Sequence, residues 1–146
     1  MTIIEKQMNL FDVSNDYILV HCISSDFALG AGIAKQFTKR GVKKYLQTHF
    51  NSVWNGNGYC IANPIENYRG VFNLVTKERY YDKPTYKTLE QSLIDMKNNI
   101  QKLNGDVRLA MPRIGCGLDR LEWEKVKEII EEVFYDTDIN ILVCYL

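Results

Sequence analysis

Residues Tyr17 to Phe37 read "YILVHCISSDFALGAGIAKQF". The first seven form a continuous apolar run of the sort buried on both faces of a sheet. From Gly30 the pattern changes. Ile33 and Phe37, with Tyr45 beyond them, lie along one side at helical spacing, which predicts a single helix through "GAGIAKQFTKRGVKKYL". Gly30 and Gly32 stand just before or at its start. A buried strand that passes through a glycine turn into a helix is the unit from which α/β folds are built.

The same alternation continues outward. "YCIA" (Tyr59–Ala62) and "VFNLVT" (Val71–Thr76) read as strands, with a Gly-Asn turn between Trp54 and Tyr59. From Thr85 a long helix is predicted, because Leu89, Leu93, Met96, Ile100 and Leu103 recur at steps of 4, 3, 4 and 3. Pro84 suits its start and Asn104-Gly105 its end. "VRLAM" (Val107–Met111) is another strand. A helix follows over about Leu121–Phe134, with Trp123, Val126, Ile130, Val133 and Phe134 inward. "INILVCYL" closes the chain as a strand, and "TIIEK" adds one at an edge. Strands alternating with helices imply one α/β domain over residues 1–146, with helices on both sheet faces.

Composition excludes some functions. The chain has 146 residues, 46% of them hydrophobic, enough for one substantial core. Its formal net charge is zero, so no broad electrostatic grip on nucleic acid or anionic membrane is expected. Cys22, Cys60, Cys116 and Cys144 are far apart and lack zinc spacing, which suits reduced thiols in an intracellular protein. "MTIIEKQMNL" lacks the basic and apolar blocks of a signal peptide, and no apolar stretch approaches the roughly 20 residues of a bilayer span.

Ligands of such sheets bind beyond the strands' carboxyl ends. Three loops lie there: "HCISSDFALGAGIA", "TKERYYDKPTY" and "RIGCGLDR". If their strands are parallel neighbours, the loops share one rim. "GAG" and "GCG" offer backbone N–H groups to a phosphate, or are compact turns that hold nothing. Lys77 is a solvated strand-end lysine or an amine working in the cleft. An amine attacks only when unprotonated, and Arg79, Lys83 and Lys87 are cations that would favour that form if the fold brings them close, which sequence alone does not show. Asp119 and Glu122, three residues apart, resemble a helix cap, and a ligand-facing carboxylate is compatible with that. His21 and Cys116 suit packing. Tyr80 and Tyr81 suit packing or substrate contact.

Read together, "HCISSDFALGAGIAKQF", "VTKERYYDKPTYKTLEQSLIDM" and "MPRIGCGLDRLEWEKV" resemble a macrodomain, and more narrowly the terminal ADP-ribose protein glycohydrolase branch. The resemblance spans nearly the whole chain and implies a three-layer α/β/α sandwich with a mixed central sheet. It implies that Lys77 is a nucleophile, that Asp119 is its partner, and that mono-ADP-ribose is removed from acidic protein side chains. No metal or cofactor is required in that branch. The substrate contacts it implies are Asn9, Leu10, His21, Ser24, Gly30, Ala31, Gly32, Ile33, Thr76, Pro112, Ile114, Gly115, Cys116, Gly117 and Leu118. The implied partner is ADP-ribose or an ADP-ribosylated protein, ADP-ribosylated nucleic acid being a further class, and the chain is expected to act as a monomer away from membranes. Competing readings are a non-catalytic ADP-ribose reader and an ADP-ribose-1''-phosphate phosphatase.

One departure stands out. Macrodomains commonly place Gly-Asp before "LF", with the aspartate accepting from the adenine amino group. This chain reads "QMNLFD", so Met8-Asn9 takes those positions. Asn9 still accepts through its carbonyl but without the charge, which implies weaker adenine binding.

Overall fold

In the computed structural model, which describes residues 1–146, the Tyr17 run becomes the innermost part of a six-stranded sheet. The strands are β1 (Thr2–Gln7), β2 (Ile18–Ser24), β3 (Tyr59–Asn63), β4 (Gly70–Lys77), β5 (Arg108–Met111) and β6 (Asn140–Tyr145). Their order is β1-β6-β5-β2-β4-β3. Every neighbouring pair is parallel except β3 with β4, so the sheet is mixed, as expected. β5, β2 and β4 are parallel neighbours. Their following loops therefore share one rim.

The helices are α1 (Ala34–Lys39), α2 (Val42–His49), α3 (Tyr86–Ile100) and α4 (Trp123–Phe134). Each sheet face carries its own core. One joins Val20, Phe72 and Leu74 to Leu89, Leu93 and Met96 of α3 and Val126, Ile130 and Phe134 of α4. The other joins Leu19, Ile23 and Val75 to Phe37, Val42 and Leu46 of α1 and α2. Full burial of such a side chain contributes roughly 1.5–3 kcal/mol. These two cores make the three layers.

Three local expectations are corrected. The single helix after "GAG" is two helices, because Gly41 adopts the left-handed φ of 87° between them. That break resets the helical phase, so Val42 and Leu46 turn inward in place of Tyr45. Leu103 lies past the end of α3 and is exposed. The start of α3 matches its prediction. Thr85 Oγ1 accepts from the Thr88 N–H at 3.0 Å, and Thr88 Oγ1 accepts from the Thr85 N–H at 3.1 Å. No helix is long and apolar enough to cross a membrane.

His21 belongs to the second core. It is fully buried, stacks on Phe37 and hydrogen-bonds Asn73 at 2.6 Å. Burial pushes its pKa down to about 4 against a weaker opposing effect of Asn73. The unfolded chain therefore binds the extra proton more readily. Stability from this group is present above about pH 6.5 and is lost as pH falls toward 4. In an NMR titration of the folded protein, the His21 ring should stay neutral down to pH 5, whereas a midpoint near 6.5 would contradict this burial.

Candidate active site

The rim of β2, β4 and β5 opens into a cleft of about 750 Å3, a volume that suits a nucleotide-sized ligand. The end of β2 supplies Ser24, and the loop after it the Gly30–Ile33 turn. The end of β4 supplies Lys77 and the loop after it Tyr80 and Lys83, while the loop after β5 supplies Pro112, Ile114, Gly115, Gly117, Leu118 and Asp119.

Lys77 reaches the cleft through an irregularity in the sheet. Along β2 and β4 the register runs Ile23↔Val75 and then Ser24↔Lys77, which leaves Thr76 as an extra residue. Such a bulge breaks the two-residue alternation and re-aims the next side chain. Thr76 is buried, its hydroxyl has no partner, and it does not line the cleft. Lys77 Nζ meets Asp119 Oδ1 at 2.6 Å, with side-chain exposures of 13% and 15%. Solvent therefore screens this pair less than a surface ion pair.

The capping expectation for Asp119 is corrected. The residue at the start of α4 is Glu122, with no side-chain cap bond, and the Asp119 carboxylate is committed to Lys77. Two further bonds hold the Lys77 and Asp119 loops together. Lys83 Nζ donates to the Leu118 carbonyl at 2.7 Å, and the Glu122 N–H donates to Tyr86 Oη at 3.0 Å. Gly115 has a φ of 74°, and a β-carbon there would lie 2.9 Å from Leu121 Cδ1. Glycine thus lets this loop fold tightly beside the ion pair.

The cleft brings together Lys77, Asp119, Ser24, Gly30, Ala31, Gly32, Ile33, Pro112, Ile114, Gly115, Gly117 and Leu118 from the sequence expectations. Asn9, Leu10, His21, Thr76 and Cys116 do not line it. Leu10 and His21 are core residues. Asn9 lies at the end of β1, and its Oδ1 accepts from the Phe11 N–H at 2.9 Å, capping a single 3-10 turn (Leu10–Asp12). Cys116 Sγ turns to the Ile114 carbonyl at 3.2 Å. Burial pushes its thiol up to about 11, and burial with the nearby Asp119 pushes the Cys22 thiol up as well. Neither is a ready thiolate near neutral pH.

Cys22, Ile23, Ala28, Leu29, Ala34 and Arg113 also line the cleft. They lie in the rim loops read from the sequence, with no signal there to single them out. Among the candidate cations, Lys83 lines the cleft, whereas Arg79 and Lys87 do not. No three His, Cys, Asp or Glu side chains gather into a metal-binding group.

A three-layer α/β/α sandwich with a cleft between two glycine turns at the sheet's carboxyl rim defines a macrodomain. Solved structures agree on the fold. The macrodomain of Mycobacterium tuberculosis DarG has a TM-score of 0.79 at 22% identity, covering 99% of this chain and 98% of that one. No protein-family model matches the sequence. Similarity to curated proteins is nevertheless strong. The ADP-ribose glycohydrolase OARD1 of Bos taurus is 47% identical over 137 residues, 92% of this chain and 86% of its own length. The Homo sapiens protein is 46% identical over the same extent. The chain belongs to this family of macrodomain ADP-ribose glycohydrolases.

Proposed function

We propose that the protein is a hydrolase that removes mono-ADP-ribose from acidic protein side chains, with Lys77 as nucleophile and Asp119 as its proton partner. The observation that carries this reading is the Lys77–Asp119 contact, 2.6 Å long and partly shielded from water, inside the nucleotide-sized cleft. A reader of ADP-ribose needs the glycine turns but not this pair.

The chemistry follows from the pair. Lys77 delivers its proton to Asp119, and Nζ forms a bond to C1 of the distal ribose as the bond from C1 to the target's carboxylate oxygen breaks; its electrons leave on that carboxylate, which takes the proton from Asp119. The C1–O4 ring bond then opens, a proton passing from Nζ to O4, and the ionised Asp119 stabilises the positive charge of the resulting lysyl iminium. Water then adds at C1, the C1–Nζ bond breaks, and ADP-ribose leaves with Lys77 restored. The glycine turns supply backbone donors for the diphosphate.

Release of ADP-ribose from a glutamate-ADP-ribosylated protein tests this function. Substantial release by the wild-type protein supports it. No release from that substrate, beside release from ADP-ribosylated DNA or phosphate release from ADP-ribose-1''-phosphate, would move the assignment to those substrates.

Asp119→Ala tests the carboxylate. Turnover should fall about 10^2- to 10^4-fold, the range of a lost proton-transfer group. Thermal unfolding should show roughly the 1–2 kcal/mol cost of leaving Lys77, 13% exposed, without its partner, with no cap loss added, because Asp119 makes no cap bond. Near-normal turnover in this variant would remove Asp119 from the mechanism.

Asn9→Asp probes the adenine end. Aspartate caps a turn as well as asparagine does, so the 3-10 turn should be kept. A charge-assisted bond to the adenine amino group should tighten ADP-ribose binding roughly fivefold. Unchanged affinity by calorimetry would place Asn9 outside the adenine site.

A further inference from the structure

The carboxylate of Asp26 lies behind the cleft wall and joins two of its loops. Its Oδ1 accepts from Ser24 Oγ at 2.5 Å and from the Ala28 N–H at 3.1 Å. Its Oδ2 accepts from the Tyr80 N–H at 2.9 Å, across to the segment that carries Lys77. Two further bonds run beside it. The Ser25 N–H donates to the Lys77 carbonyl at 2.9 Å, and Ser25 Oγ donates to the Glu78 carbonyl at 2.9 Å.

The backbone around Asp26 is strained. Phe27 and Leu29 have φ of 54° and 40°, in the left-handed region that favours glycine. Both side chains are buried in the second core, at 2% and 5% exposure. Such conformations persist where the surroundings over-determine them. Here burial holds the two side chains, and Asp26 holds the backbone between them. Burial opposes ionisation of Asp26, yet the bonds from Ser24, Tyr80 and Ala28 outweigh it and keep the carboxyl below its ordinary range.

The consequence for a ligand lies at Ser24, whose hydroxyl has one proton. That proton is committed to Asp26, so Ser24 faces the cleft with lone pairs only. Ser24 is also the neighbour of Lys77 in the sheet register, where the proposed function puts C1 of the distal ribose, so it is set to accept from a hydroxyl of that sugar.

We infer, resting on the reading that this cleft takes ADP-ribose, that Asp26 is a positioning and specificity residue: it fixes Ser24 as an acceptor for a distal-ribose hydroxyl and tethers the Lys77 segment through Tyr80. The two oxygens divide these tasks. Asp26→Asn keeps an oxygen toward Ser24 and Ala28 but turns an amide NH2 toward the Tyr80 N–H, losing the tether. Asp26→Ala loses both.

Calorimetry with ADP-ribose and with ADP, which lacks the distal ribose, tests the assignment. Wild type should bind ADP-ribose more tightly than ADP. Asp26→Ala should weaken ADP-ribose binding about tenfold and leave ADP binding unchanged. Asp26→Asn should keep the preference for ADP-ribose, with KM unchanged and kcat for ADP-ribose release reduced about tenfold. Equal weakening of ADP and ADP-ribose, as general loosening of the loop would give, overturns the inference, and so does an unchanged preference in Asp26→Ala. An unchanged kcat in Asp26→Asn removes the tether, and this arm stands even if Asp26→Ala fails to fold. Wild-type protein that binds ADP-ribose no better than ADP overturns the distal-ribose site itself, an outcome distinct from the others.

Discussion

Lys77→Ala should bind ADP-ribose within about threefold of wild type while its turnover falls by on the order of 10^3-fold or more. On the proposed function, binding survives because the contacts assigned to the glycine turns and Ser24 do not use the Lys77 side chain, and turnover is lost with the nucleophile. The Cys22 and Cys116 thiols are held protonated by burial. His21 lies in the core against Phe37. Removing the lysine leaves the Asp119 carboxylate, 15% exposed, without its partner, at a cost of roughly 1–2 kcal/mol of stability. Lys77→Arg separates this cost from the chemistry. A guanidinium restores charge opposite Asp119 but stays protonated, so stability should recover and turnover should not. The check is calorimetry, thermal unfolding and a release assay on both variants. Turnover rescued by arginine would make Lys77 an electrostatic group only.

Gly58→Ala should be the most damaging small substitution in the molecule. Gly58 is buried just before β3, which forms one edge of the sheet. A β-carbon there would lie 1.9 Å from the Thr88 carbonyl oxygen and 3.2 Å from the Ser92 nitrogen, both backbone atoms of α3. No rotamer relieves a clash with backbone, so the helix or the strand must shift. The shift also breaks what α3 does for this edge. The Gly58 N–H donates to Gln91 Oε1 at 2.9 Å, and the Cys60 N–H donates to Asp95 Oδ2 at 2.8 Å. Two α3 side chains thereby cap edge N–H groups that would otherwise invite another strand. Overpacking of this kind costs about 3 kcal/mol or more, or about 6–12 °C in melting temperature for a domain of this size. Gly56→Ala is the control. Gly56 has a φ of 92° but no atom within 4 Å of its missing β-carbon. It should lose only about 1 kcal/mol through backbone strain. Equal melting temperatures for the two variants would contradict this packing.

The inner strands were legible because each is a short apolar run, and α3 and α4 because each keeps one apolar stripe throughout. Strand–helix alternation made a shared rim conditional on β5, β2 and β4 being parallel neighbours, and the sheet order meets that condition. What escaped depended on partners distant in sequence. Asp119 looks like a cap beside Glu122, because local spacing cannot show that Lys77, 42 residues away, claims its carboxylate. The bulge at Thr76 is set by the register of β4 on β2 and leaves no mark in "VFNLVTK". Asp26 carries no local mark of its role, since the Tyr80 N–H that it accepts is 54 residues on. Gly41 sits inside a plausible helical run, and only its left-handed φ shows the break.

The most direct measurement on Lys77 is reductive trapping. Wild-type protein is incubated with a glutamate-ADP-ribosylated substrate and borohydride, and its peptides are then weighed. A mass increase corresponding to reduced ADP-ribose on the Lys77 peptide, absent from Lys77→Ala, is the predicted result. Rapid ADP-ribose release with no adduct on Lys77, or with the adduct on another residue, would contradict it.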